Sequence, residues 1–137
     1  MVEQSIYYER YGWDIAVFYD ASCKDTDYIL YELKGIGCYG DQLYRARKNL
    51  EACGMNTGIT FANMQSKQMV IVISKTTSAK HFLNTMIHEL HHAAEFIARE
   101  AKVKQTGEEI SYISGDLSML MYSKAGHYLC ECCRDKE

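Results

Sequence analysis

The 137 residues fit one domain with a real hydrophobic core and are too few for two comfortable ones. A 47% hydrophobic composition with a net charge of −3 excludes a disordered chain, and the mild acidity without a basic stripe excludes nucleic acid as the main partner. The N-terminus has neither the basic start nor the apolar run of a signal peptide, and no apolar stretch approaches the roughly 20 residues of a membrane span; a cytoplasmic protein is expected, its six cysteines reduced.

Residues 13–20 are rich in β-branched and aromatic types and predict a first strand. Apolar side chains then recur at three- and four-residue spacings over 27–33 and 41–53, predicting two helices separated by Gly35 to Gly40. Residues 58–62 and 68–74 predict paired strands around a turn at 65–67, and the almost continuous apolarity of the second places it centrally. Ser78 is a cap for a long helix from Ala79 to about Lys102, with Leu83, Ile87, Leu90, Ala94, Ile97 and Ala101 as its inner stripe. A last helix is predicted from Gly107 to Tyr122.

The long helix carries His88-Glu89-Leu90-His91-His92. Histidines four residues apart lie only about 40° apart in azimuth and one turn apart along the axis, so both imidazoles can reach one ion. In this H-E-x-x-H arrangement Glu89 is the general base, taking a proton from the attacking water and carrying it to the leaving group. His91 is offset by about 60° from His88, toward the Leu83 stripe, and reads as a supporting or packing residue. The competing reading is an ordinary charged helix that contains these letters by chance.

A catalytic zinc takes three protein ligands and keeps one position open. Glu95 and Glu100 climb away along the same helix, which leaves Glu108, Glu109 and Asp116 on the next. Thr106 and Glu109 match a capping box, giving Glu109 a structural task and leaving Glu108 as the third ligand. Tyr112 follows one turn later, placed to orient that carboxylate or to bond substrate. The assignment requires the long helix to end near Ala101, about 13 Å beyond His92, so that residues 102–107 can double back.

The run Met86 to His92, followed after a short gap by Glu108-Glu109-Ile110-Ser111-Tyr112, resembles the gluzincin metallopeptidases, especially the phage and prophage metallopeptidases and the minigluzincins. The resemblance spans about residues 68–122 and implies Zn²⁺ held by His88, His92 and Glu108, Glu89 as base, and a peptide or protein substrate paired along a strand edge from 59–62 or 69–73. The expectation is therefore one α+β, zincin-like domain over 1–137: a small twisted sheet with early helices in 1–77, metal-binding helices in 78–123 and a Cys-rich tail in 124–137. Two further readings stay open, a non-catalytic phage or host-interaction protein with a structural metal, and a metallohydrolase acting on another amide such as cell wall.

Two weaker signals remain. His127, Cys130, Cys132 and Cys133 place a histidine and three thiols within seven residues, while Cys23, Cys38 and Cys53 read as small core residues. The tyrosines crowding the N-terminal third read as half-buried sheet and helix residues with hydroxyls in water.

Overall fold

The structure, a computed structural model, describes residues 1–104 and 107–135. Among these it forms a four-stranded mixed sheet and five α-helices: β1 (Val2–Tyr8), β2 (Trp13–Ala21), α1 (Thr26–Gly35), α2 (Gly40–Glu51), β3 (Gly58–Asn63), β4 (Gln68–Ser74), α3 (Ala79–Glu100), α4 (Glu108–Ala125) and α5 (Glu131–Arg134). The strands lie in the order β1-β2-β4-β3, with β2 and β4 parallel and both outer pairs antiparallel. Among the described residues no helix is long and apolar enough to cross a membrane.

Strand alternation builds the layers. Ile15, Val17 and Tyr19 of β2 and Met69, Ile71 and Ile73 of β4 face α3 and α4, whereas Phe18, Val70 and Val72 face Ile29, Leu30 and Leu33 of α1 and Ala46 and Leu50 of α2. Successive side chains point to opposite faces, and both faces are covered, so β4 is apolar from Met69 to Ile73. Phe82 of α3 stacks on Tyr128 at 5.1 Å, and Tyr128 stacks on Tyr19 at 6.1 Å, contacts that each add about 0.5–1.5 kcal/mol beyond burial.

The helix α3 starts where Ser78 accepts a hydrogen bond from the His81 amide. It ends in a Schellman motif: Lys102 adopts φ 58, its N–H bonds the Arg99 carbonyl, and the Val103 N–H bonds the Ala98 carbonyl. The helix therefore stops at the point needed for a return.

Several expectations are corrected. The first strand is Val2–Tyr8, which the sequence reading passed over; it pairs with β2 from Val2↔Tyr19 to Tyr8↔Trp13. The inner stripe of α3 consists of Phe82, Met86, Leu90, Ala93, Ala94, Ile97 and Ala98, while Leu83 and Ile87 are exposed. Cys23 and Cys53 are not core residues but a disulfide joining the start of α1 to the end of α2; only Cys38 of that trio is buried. Tyr8 and Tyr19 are buried, their hydroxyls donating to Asp116 and Gln4 at 2.6 Å rather than to water.

Candidate metal centre

The strand β3 is one of the two outer strands of the sheet and, among the described residues, pairs only with β4. Of the two proposed substrate edges, 69–73 is thereby excluded, because β4 is flanked on both sides. Beside the free edge opens a cleft of about 580 Å³, with α3 on one wall and α2 on the other. His88, Glu89 and His92 line the first wall, Gly58, Thr60 and Phe61 the floor, and Gln42, Arg45 and Asn49 the second wall.

The two histidines converge. Their Nε2 atoms are 3.2 Å apart and the rings meet edge to face at 4.8 Å between centroids. Two nitrogens bound to one tetrahedral zinc at about 2.0–2.1 Å stand roughly 3.3–3.4 Å from each other. The donor atoms thus already hold nearly the separation that a shared ion requires, and imidazole is a donor type suited to zinc.

Glu89 is 4% exposed and, among the described residues, the one buried side chain of an acidic or basic type. Its Oε1 accepts a hydrogen bond from the Thr60 hydroxyl at 2.7 Å. A Cβ on Gly58 would lie 2.7 Å from Glu89 Cγ and 2.8 Å from its Oε2, so only glycine lets β3 approach this side chain so closely. A buried carboxylate costs several kcal/mol unless it is hydrogen-bonded, and the edge strand supplies that bond.

Glu108 and Tyr112 are not among the residues lining the cleft. The helix that carries them packs along β1: Gln4 donates to the Leu120 carbonyl at 2.9 Å and Tyr8 donates to Asp116. The strands β1 and β3 are opposite edges of the sheet, three strand spacings or roughly 14 Å apart. Among the described residues, the one group of three histidine, cysteine or acidic side chains with ligand atoms within 4.8 Å of one another lies in the tail, and His88, His92 and Glu108 do not form such a group.

The other acidic candidates are engaged elsewhere. Glu109 accepts from Arg10 at 2.9 Å and from the Tyr11 hydroxyl, and Asp116 accepts from Tyr8. Bonding to Glu109 raises the Tyr11 pKa above its ordinary value, and Arg10 lies over the Tyr112 ring at 5.6 Å. The residue preceding α4 is Gly107, at φ 88, and the Thr106 of the expected capping box lies outside the described residues. His91 is exposed and pairs with Glu95 at 2.9 Å, pointing away from the packing role expected of it.

Sequence reasoning missed Gly58, the bond from Thr60 to Glu89, the α2 wall and the place of Cys38 beside the cleft. Gln42, Arg45 and Asn49 recur at three- and four-residue spacing, which was visible but is shared by the polar face of any surface helix. The buried Cys38 thiol also borders the cleft; burial pushes its pKa up, which makes it a poor nucleophile. In comparisons with known proteins, no family model, curated protein or solved structure matches the chain.

Proposed function

We propose that this protein is a zinc-dependent hydrolase of zincin-like fold, a peptidase that cleaves an extended peptide laid along β3. The observation that carries this reading is the 3.2 Å approach of His88 and His92 Nε2 beside the buried Glu89 carboxylate, at the free edge of the sheet. When bound, zinc supplies Lewis acidity, lowering the pKa of a water and polarising the scissile carbonyl.

The chain's own residues do the rest. Glu89 takes the proton of the attacking water and returns it to the leaving nitrogen, and Thr60 holds its carboxylate in one rotamer. The unpaired N–H and C=O groups of β3 face outward and bind a substrate backbone by strand addition. Gln42, Arg45 and Asn49 contact substrate side chains from the opposite wall.

Two imidazoles rather than three ligands are supplied at this edge, so zinc binds less tightly than in a closed four-ligand site and is to be added in assays. The test is cleavage of an unbiased peptide library by zinc-loaded wild type and by Glu89→Gln. Cleavage lost in a variant that keeps its zinc supports the reading. Zinc bound equally with no cleavage by either protein supports a structural metal instead, and hydrolysis of cell-wall amides alone moves the substrate class.

A further inference from the structure

We propose that Cys130, Cys132 and Cys133 form a second metal site, for a thiophilic closed-shell cation (Zn²⁺ or Cu⁺), that fastens the C-terminal tail across the start of α3. This proposal is independent of the reading of His88 and His92. The three Sγ atoms all lie within 4.8 Å of one another, with Cys130 and Cys132 at 3.1 Å. Sulfurs bound to one ion at about 2.3 Å stand roughly 3.8–4.0 Å apart, so small side-chain rotations bring all three onto one centre.

The backbone is already wound for this. The amides of Cys133 and Arg134 both donate to the Cys130 carbonyl, at 3.2 and 3.0 Å, and this turn gathers Cys130 and Cys133, which stand at C-x2-C spacing, together with Cys132. The tail is anchored on both sides of the thiols. Tyr128 is buried against Phe82, Glu131 accepts a hydrogen bond from the Ala79 amide at 2.6 Å, and the Arg134 guanidinium donates to the Thr76 carbonyl.

The donor set selects the ion. Three thiolates favour soft or borderline cations and disfavour magnesium or calcium, which take oxygen ligands. Glu131 is occupied at Ala79, and His127 lies outside the group with its ring edge-on to Tyr128. A three-sulfur site is complete for Cu⁺ and leaves a fourth position open for Zn²⁺. Binding displaces the thiol protons, and because the tail is docked on Thr76 and Ala79, it also stabilises the head of α3.

The experiment uses the full chain carrying His88→Ala and His92→Ala, with free thiols counted before metal is added. Co²⁺ is titrated while sulfur-to-cobalt charge transfer is followed in the near ultraviolet, then displaced by Zn²⁺; a parallel arm measures Cu⁺ uptake against a chromogenic Cu⁺ chelator. One equivalent in either arm is expected, with affinity at least tenfold weaker after Cys132→Ser or Cys133→Ser; both side chains are exposed, and far-ultraviolet dichroism checks that the fold is kept. A cobalt band displaced by zinc identifies a zinc-type site, and uptake in the copper arm alone a Cu⁺ site. The proposal is overturned if fully reduced protein binds neither ion, or if binding is the same in both serine variants.

Discussion

Thr60 of the edge strand and Glu89 of α3 share a 2.7 Å hydrogen bond, hydroxyl to carboxylate, across the floor of the cleft. It joins two segments that are 29 residues apart in the chain and fixes a buried charge at the point where substrate and metal would meet. Each side chain depends on the other: the carboxylate needs a donor, and the hydroxyl would otherwise be left half-buried on a strand edge.

Replacing Glu89 with Gln removes the base while preserving shape. Peptide cleavage should fall by about 10²–10⁴-fold with zinc content unchanged, read by rate assays and elemental analysis on the same preparation. Thr60→Val should lower the rate less and cost about 1–3 kcal/mol in urea unfolding, because it strips a partner from a buried carboxylate. An unaltered rate in both variants would sink the catalytic role of Glu89.

Gly58→Ala places a methyl within 2.8 Å of both Glu89 Cγ and its Oε2, and against the Val72 carbonyl. Overpacking of this kind costs about 1–3 kcal/mol. Urea unfolding should show that loss together with a drop in cleavage, since Glu89 has to leave its position. Alanine tolerated with full stability and activity would contradict the close approach of β3 to α3.

The proposed zinc ligands are separable by substitution. In a Cys132→Ser background, which removes any zinc held by the tail thiols, His92→Ala should abolish stoichiometric zinc binding, whereas Glu108→Ala should retain it, because α4 lies along the β1 edge and the histidine pair beside β3. Isothermal titration on both variants decides this. Equal loss in the two would return Glu108 to the ligand set and require a different placement of α4.

The Cys23–Cys53 disulfide closes a loop with a sequence separation of 30. A crosslink of that span contributes about 3–4 kcal/mol through the unfolded chain. Melting should therefore fall by roughly 6–16 °C in Cys23→Ser, or on reduction of the wild type, at about 2–4 °C per kcal/mol for a domain of this size. No shift on either treatment would mean the bond does not form in the purified protein.

Much of this protein was legible in the sequence because the relevant signals are local. The β3–β4 pair, both early helices and the span of α3 follow from apolar periodicity and from capping residues such as Ser78, and the convergence of His88 and His92 follows from helical geometry alone. The four-residue spacing brings the rings together whatever the rest of the chain does.

What only the tertiary structure decided are relations between distant segments. Whether Glu108 reaches the histidines depends on which flank of α3 receives α4, and Gln4, Tyr8 and Arg10 of the β1 hairpin draw it to the far edge; no spacing within 88–112 encodes that choice. The strand β1 was missed because only its last residues are buried, leaving Ile6 and Tyr8 as the trace of an alternation that a central strand displays throughout. Strand order likewise leaves β3 open and β4 enclosed, although β4 is the more apolar of the two. The pairing of Cys23 with Cys53 and the bond from Thr60 to Glu89 depend on how the layers assemble, since a side chain's own sequence neighbourhood specifies its face and not the partner brought opposite it.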